Sequence, residues 1–288
     1  MKKLLAFSLL IAASGVSCVA AEWRTLFDGS MNGWQSWLAY PHESTQVSDL
    51  ARGNNGKYTE PLGWNRDPLG VFSIVEIDGR KAIRSSGQVY GLLLTKEPLS
   101  NFHLKMQFKW GEKRWAPRLQ SVRDSGLLYF VNGEQGRSYV SWPSCLELQI
   151  QQKDCGDLYA LLSDVNVRAK PHTAADGQKL FTYDPAAKPV LLAQEGPDGN
   201  RCIRQQDFEK PEGEWNTIEL ICLGADSIHI VNGHVVMRLA GARKQPGGEA
   251  LSSGLVGLQS EGAEIFFRDI QIQSISAVPE KYEEYQAK

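Results

Sequence analysis

The sequence lacks the signatures of several common functional classes. Its 31 Lys and Arg nearly balance its 33 Asp and Glu, and without a long basic run it has no electrostatic pattern for binding nucleic acid. None of its five His shows HxH or HExxH spacing, which argues against a preformed zinc site. The absence of G-x-S-x-G, P-loop and G-x-G-x-x-G motifs argues against an α/β-hydrolase triad and against nucleotide binding. The chain nevertheless has 288 residues, 42% of them hydrophobic, which is enough to fold around a large core.

The first 21 residues have the pattern of a secretory signal peptide. Met1–Lys3 is positively charged, the apolar stretch 4–16 is too short to span a bilayer, and small residues precede Glu22. The pattern predicts cleavage after residue 21 and export to the periplasm or the medium. The alternative is a lipoprotein signal at Cys18, which would attach the protein to a membrane.

Cysteine is scarce, with five residues in the whole chain. Removal of the signal peptide would leave four: Cys145, Cys155, Cys202 and Cys222. An even number in an exported protein permits two disulfides, and Cys145–Cys155 with Cys202–Cys222 is one of the possible pairings. Four free thiols buried in the core are equally compatible with the sequence.

Short segments of alternating polarity, separated by Gly, Asn, Asp and Pro, predict an all-β protein. Residues 102–110 alternate apolar and polar side chains over their whole length, and residues 145–151 repeat the pattern. Asn232-Gly233 lies between two apolar segments, as expected of a β-hairpin turn. No segment has a sustained helical period.

These strands predict one β-sandwich domain of the jelly-roll type over residues 22–278. Long loops are expected near 38–68 and 164–212, where no clear strand pattern is visible. The charged residues 279–288 are expected to form a C-terminal tail or a short helix.

A row of polar side chains on one predicted strand is the first candidate for a functional site. Glu147, Gln149 and Gln151 alternate with apolar residues and therefore face the same side. A carboxylate and two amides suit sugar hydroxyls or a metal ion, although a solvated sheet face is the commoner role of such a row. Asp154 and Asp157 follow, either to join Glu147 around a divalent cation or to act only as turn residues.

Further charged candidates flank this strand. Arg118, Arg123 and Asp124 lie just before a predicted strand, where Asp-Ser-Gly could also be a simple turn. Glu261 lies between two late strands, and with Glu147 it would form the acid–base pair of a glycosidase.

A histidine and several tryptophans complete the candidates. His103 lies on the polar face of its own strand, from which it would reach the same surface as Glu147. Trp142, like Trp64 and Trp115, lies in a loop-like polar context, where an exposed indole would stack on a sugar ring.

Several short motifs follow one another in a specific order: Leu26–Gly29, Gly33-Trp34, Lys109–Arg118, Arg123–Tyr129, Leu146–Gln151, Asp154–Asp157, Gly213–Asn216 and Leu258–Gly262. Together they resemble the 3-keto-disaccharide hydrolase domain family over essentially all of 22–275. The resemblance implies a concanavalin A-like jelly roll, exported by bacteria, that cleaves glycosides whose sugar has first been oxidised at C3. Relatives commonly carry His where this chain has Phe130, so a metal-binding or proton-transfer role of that His would be lost here.

The implied chemistry is a β-elimination. A ketone at C3 makes the C2 proton acidic, so that a base can remove it and expel the group at C1, and water then completes a net hydrolysis. We expect Glu147 to be the base or a metal ligand, with Asp157 supporting it and His103 as acid or ligand. The remaining candidates would bind the sugar or the enolate oxygen: Arg118, Arg123, Asp124, Trp142, Gln149, Gln259 and Glu261.

Two other interpretations fit the sequence. The same fold can serve as a carbohydrate-binding module without catalysis. Alternatively, Glu147 and Glu261 would hydrolyse ordinary, unoxidised glycosides. In all three cases the partner is a saccharide, with a divalent metal as an open possibility.

Overall fold

The structure is a computed structural model that describes residues 22–285. The predicted signal peptide and the alternative lipidation site at Cys18 both lie outside the described residues. Among residues 22–285, no helix is long and apolar enough to cross a membrane.

Nearly all regular structure in this part of the chain is β-strand. The strands are β1 (Arg24–Thr25), β2 (Trp34–Leu38), β3 (Gly63–Trp64), β4 (Phe72–Ile77), β5 (Arg80–Ser85), β6 (Gly91–Thr95), β7 (Phe102–Arg114), β8 (Gly126–Asn132), β9 (Ser144–Gln149), β10 (Leu158–Leu161), β11 (Ser163–Thr173), β12 (Lys179–Tyr183), β13 (Pro189–Ala193), β14 (Arg201–Cys202), β15 (Asn216–Leu223), β16 (Asp226–Val231), β17 (His234–Lys244), β18 (Leu255–Ser260) and β19 (Ala263–Ser274). A 3-10 helix, Glu280–Tyr285, follows β19.

Two antiparallel sheets pack face to face as a jelly-roll β-sandwich, which confirms the predicted fold class. The smaller sheet has the strand order β14-β10-β9-β8-β18-β6-β2-β3. The larger sheet has the order β12-β11-β17-β16-β15-β7-β19-β5-β4, with β1 paired to β19 and β13 paired to β11.

The core between the sheets is built from alternate residues of the strands. Leu104 and Met106 of β7 meet Leu146 and Leu148 of β9 in one cluster, and all four side chains are fully buried. Because successive side chains point to opposite faces of a strand, the residues between them face away from the core. On β9 those outward residues include Glu147.

The expectation of a long loop over 164–212 is wrong. Most of β11 and all of β12, β13 and β14 lie in this segment. Val165, Val167 and Ala169 of β11 do alternate into the core. The later strands have only two to five residues, too few to show a period in the sequence.

All four described cysteines are buried free thiols. Cys155, Cys202 and Cys222 belong to the core between the sheets, whereas Cys145 packs on the outer face of the smaller sheet. The Cys145–Cys155 pairing does not form, because these two side chains lie on opposite faces of that sheet.

His229 is a fully buried titratable group in the core. Its Nε2 accepts from the Tyr129 hydroxyl at 2.9 Å, while Nδ1 faces the Gly156 carbonyl at 3.4 Å. Burial lowers the pKa of His229 to about 3, so the ring is neutral in the folded protein at neutral pH.

This burial makes stability depend on pH. In the unfolded chain His229 binds a proton below about pH 6.5, whereas the folded protein takes none until about pH 3. The stabilisation by the neutral ring is therefore complete above pH 6.5 and is lost as the pH falls towards 3. We compare the free energy of unfolding of the wild type with that of His229→Gln. The difference between the two should fall by about 1.4 kcal/mol for each unit by which the pH decreases in this range. Urea titrations at pH 7.0, 5.5 and 4.5 measure it, and a constant difference would contradict it.

Candidate active site

A group of polar side chains gathers on the outer face of the smaller sheet. Glu147 and Gln149 project from β9 and Gln259 from β18, and each side chain is buried, with 6% exposure or less. Between these strands lies β8, where Gly126 is the cross-strand partner of Gln149. Because Gly126 has no side chain, the outer face is lower there and the Glu147 carboxyl lies over it; we call this place the depression.

Two more carboxyl groups lie at the edge of this depression. Asp124 lies two residues before β8, and its backbone pairs with that of Glu261, which follows β18. Arg118 lies 2.5 Å from Asp124 Oδ2 and 3.5 Å from Glu261 Oε1 through its two terminal nitrogens. Gln151 donates to Asp124 Oδ2 at 2.6 Å. We call Arg118, Asp124, Glu147, Gln149, Gln259 and Glu261 the polar cluster.

The three carboxyl groups of the polar cluster have raised pKa values. Burial raises the pKa of Asp124 to about 6, an effect that Arg118 opposes. Burial and the neighbouring Asp124 raise the pKa of Glu261 to about 8. Burial, with the charges of Glu261 and Asp124, raises the pKa of Glu147 well above its usual range. Of the three, Asp124 is therefore the carboxyl group that ionises most readily, and burial favours the protonated form of the two glutamates.

The polar cluster leaves several buried polar atoms without a hydrogen-bond partner among the described residues. Four are acceptors: Asp124 Oδ1, Glu147 Oε1, Gln149 Oε1 and Gln259 Oε1. One is a donor, Arg118 Nε. Buried polar atoms are normally paired, so such a concentration indicates a site that a polar ligand completes.

Gly126 is required because the Glu147 carboxyl occupies the space where a side chain would be. A Cβ added at Gly126 would clash with Glu147 Oε1 and would lie 3.1 Å from Gln259 Oε1. Glycine therefore lets Glu147 lie flat over β8.

Gly126→Ala should displace the Glu147 carboxyl without unfolding the protein, because the clash is with the flexible end of a side chain. We expect turnover to fall by about 100-fold, typical of a misplaced catalytic group, with a small change in Tm. Gly257→Ala is the matched control, since the atoms nearest to its Cβ would belong to the side chains of Leu94 and Leu92. Equal activity of the two variants would contradict a role for Gly126 in placing Glu147.

Aromatic residues border the depression on two sides. Tyr159 of β10 is the cross-strand partner of Glu147, and the Arg201 guanidinium lies 5.4 Å from its ring centre. On the other side, Tyr90 and Trp142 stack with ring centres 6.0 Å apart. Burial, and next the charge of Glu261, raise the pKa of Tyr90 to about 12. No sequence motif singles out Tyr90, Tyr159 and Arg201, for which only their alternation with core residues gave a signal.

Trp142 is not the open sugar platform that the sequence predicted. Its side chain is only 6% exposed and packs on Leu92, Leu94 and Leu128 of the outer face. The loop between β8 and β9 folds back over the sheet and buries the indole. Trp64, by contrast, is 48% exposed.

Asp157 lies beside the polar cluster but is fully occupied by arginines. Its carboxylate accepts from Arg201 at 2.8 Å and from Arg204 at 2.9 Å. Asp154 contacts the same two guanidinium groups at 3.5 Å. Glu147, Asp154 and Asp157 therefore do not converge on one cation, and residues 22–285 hold no group of three or more His, Cys, Asp or Glu arranged to bind a metal.

His103 and Arg123 are separated from the polar cluster. His103 lies on the outer face of the larger sheet, across the core from Glu147, and contacts Glu219 at 2.9 Å. The expectation that it reaches the same surface is wrong, because alternation fixes a face of its strand but not the sheet it joins. Arg123 donates to the Gly111 carbonyl at 3.1 Å and pairs with Glu212, contacts that tie its loop to β7.

Phe130 does not face the depression either. A β-bulge between Tyr129 and Asn132 gives Phe130 a φ of 52°, and its side chain joins the core between the sheets. The ring centres of Tyr129 and Phe130 are 5.2 Å apart. Phe130 therefore contributes nothing to the polar cluster.

Comparison with known proteins gives one family match. The model of the 3-keto-alpha-glucoside-1,2-lyase-like domain matches residues 22–273. A search of curated proteins finds no significant match.

Several solved structures are similar to this chain at low sequence identity. A protein from Parabacteroides distasonis described as a candidate glycosyl hydrolase is 16% identical, with 88% of this chain and 94% of that chain covered and a TM-score of 0.48. The carbohydrate binding module CBM66 from Bacillus subtilis is 9% identical, with 70% and 92% covered and a TM-score of 0.39. The Bacillus licheniformis beta-glucanase is 8% identical, with 89% and 98% covered and a TM-score of 0.38. Similarity at this level says nothing about the substrate.

Proposed function

Since the chain belongs to the 3-keto-alpha-glucoside-1,2-lyase-like domain family, we propose that it cleaves glycosides whose sugar carries a ketone at C3. The family itself makes the chain a glycosyl hydrolase-like, carbohydrate-active domain. We further propose that the protein acts outside the cytoplasm, on the basis of the signal-peptide pattern in residues 1–21.

The unpaired atoms of the polar cluster carry this proposal. Four buried acceptors and one buried donor of the polar cluster have no hydrogen-bond partner within residues 22–285. A sugar presents several hydroxyl donors together with oxygen acceptors, and it would satisfy these atoms at once. Leaving them unpaired is costly, so a ligand that pairs them gains affinity and orientation.

The reaction that fits is elimination followed by addition of water. A base takes the proton from C2, the C2–H electron pair forms the enolate of the C3 ketone, and the enolate then expels the oxygen at C1. The leaving oxygen receives a proton from an acid, which gives the free aglycone and a sugar with a C1=C2 double bond. Addition of water across this bond yields the free 3-keto sugar.

The pKa order assigns the roles. Asp124 is ionised at neutral pH and has a free oxygen, so it is the base. Glu261 is protonated and is the acid for the leaving oxygen. Glu147, also protonated, would donate a hydrogen bond to the developing enolate oxygen, because a neutral buried carboxyl group is a strong donor to such an oxygen. Because burial raises its pKa, Glu147 would act as a hydrogen-bond donor and not as the base that the sequence predicted.

Activity should follow a bell-shaped pH profile. Below about pH 6 Asp124 gains a proton and cannot accept one from C2, and above about pH 8 Glu261 loses the proton it must donate. We expect kcat/KM to rise through about pH 6, to be highest near pH 7 and to fall through about pH 8. A rate that stays constant from pH 5 to pH 9 would contradict these roles.

A substrate pair tests the function itself. The protein is incubated with a nitrophenyl glucoside and with its 3-keto derivative, with and without a chelator. Release of nitrophenol from the ketone alone supports the proposal, and equal release from both glycosides supports a conventional glycosidase. Binding without release from either supports a carbohydrate-binding module, and loss of activity with chelator reveals a metal requirement.

A further inference from the structure

Tyr159 lies beside Glu147 on the neighbouring strand, and its hydroxyl group has no hydrogen-bond partner among residues 22–285. Tyr159 and Glu147 are directly opposite each other on β10 and β9, and both side chains lie on the outer face of the smaller sheet. Directly opposed side chains in such a pair have their Cβ atoms about 5 Å apart. Tyr159 is half-buried, and no residue within 22–285 forms a hydrogen bond with its hydroxyl.

The ring of Tyr159 is fixed although its hydroxyl is free. It packs against the apolar cluster that contains Leu161 and Cys145. The Arg201 guanidinium lies 5.4 Å from its centre, and Arg201 is itself held by Asp157 at 2.8 Å. The apolar cluster and Arg201 therefore hold the ring, while the hydroxyl group has no hydrogen-bond partner within residues 22–285.

The electrostatic surroundings keep this hydroxyl protonated. Burial is the main cause that raises the pKa of Tyr159, and the charges of Glu147, Asp157 and Asp124 act in the same direction, while Arg201 opposes them. The group is therefore available as a hydrogen-bond donor throughout the neutral range and does not serve as a base.

We propose that Tyr159 is a further catalytic residue, which together with Glu147 donates a hydrogen bond to the enolate oxygen at C3. The inference rests on the proposed elimination. Asp124 takes the C2 proton, the electron pair moves to the C3 oxygen, and Tyr159 and Glu147 both donate to that oxygen without giving up their protons. A pair of preorganised donors stabilises this negative charge well, because the donors need no reorganisation when the charge develops.

The test isolates enolisation from glycoside cleavage. In D2O, the protein should exchange the C2 proton of free 3-keto-glucose for deuterium, because the base and the donors act in the same way without a leaving group. We expect Tyr159→Phe to lower this exchange rate and kcat for the 3-keto-glucoside by about 100-fold, the usual effect of losing one such donor. KM should change by less than about threefold, since the charge develops after binding.

Two controls separate a catalytic from a structural role. Tyr139→Phe makes the same chemical change at a side chain that is 62% exposed, and it should leave the exchange rate unchanged. Fluorotyrosine at position 159 keeps the ring and acidifies the hydroxyl, so it should alter the exchange rate and its pH profile, as purely structural packing would not.

The results distinguish a failure of the role proposed for Tyr159 from a failure of the proposed function. Exchange by Tyr159→Phe within about threefold of wild type, together with no response to fluorotyrosine, would overturn this inference alone if wild type still cleaves the 3-keto-glucoside. A wild-type protein that neither cleaves the 3-keto-glucoside nor exchanges the C2 proton would overturn the proposed function as well.

Discussion

Asp124→Asn should lower kcat for a 3-keto-glucoside by about 1,000-fold or more. The amide has no basic oxygen, so nothing at this position can take the C2 proton, and general bases typically contribute factors of 100 to 10,000. Asn can still accept from Gln151, and Arg118 keeps Glu261 as a partner. Steady-state release of nitrophenol, with Tm measured in parallel, gives the result.

The control for this variant is an aspartate that also pairs with arginine but lies on the larger sheet. Asp269 of β19 contacts Arg80 and Arg268. Asp269→Asn should retain full activity. A loss of less than tenfold in Asp124→Asn, at unchanged stability, would show that another group is the base.

Glu147→Ala should lower kcat by about 1,000-fold, whereas Glu147→Gln should lower it by no more than about tenfold. The difference follows from the role of a neutral donor. Gln is uncharged, has nearly the same shape as a protonated Glu and still donates through its amide nitrogen, while Ala removes the donor and leaves a gap. Both kcat values are measured on the 3-keto-glucoside near pH 7.

This pair of variants separates the two roles considered for Glu147. If Glu147 were the base, Gln would be as inactive as Ala, because neither side chain accepts a proton. Gln259→Ala serves as a comparison, because it removes a buried amide acceptor and leaves all the carboxyl groups in place. We expect it to affect KM more than kcat.

Part of the site follows directly from the sequence. The alternation around Leu146 and Leu148 placed Glu147 and Gln149 on one outward face, and the structure has them there. Such a pattern is local, since it needs only the period of a single strand. The proximity of Asp124 to Glu261 is not local: their backbones pair across more than 130 residues, and only the sheet order creates that contact.

The expectations for His103 and Trp142 were wrong because they too depend on contacts that are not local. His103 has the alternation of a half-buried strand, but it lies on the other sheet, because a period gives no information on strand partners. Trp142 is buried because its loop folds back over Leu92 and Leu94, an event that no local pattern describes. The raised pKa of Glu147 was also beyond the sequence, since it depends on burial among residues from three different segments.

The origin of the hydrogen at C2 of the released sugar tests the elimination most directly. The 3-keto-glucoside is cleaved in D2O to low conversion, and deuterium at C2 of the product is measured by mass spectrometry, with free 3-keto-glucose incubated in parallel to subtract exchange after release. Elimination transfers the C2 hydrogen to Asp124, from which it exchanges with the solvent, so that re-addition of water places a solvent deuterium at C2. A released sugar that keeps its original hydrogen at C2 would show direct displacement at C1 and would contradict the roles given to Asp124, Glu147 and Glu261.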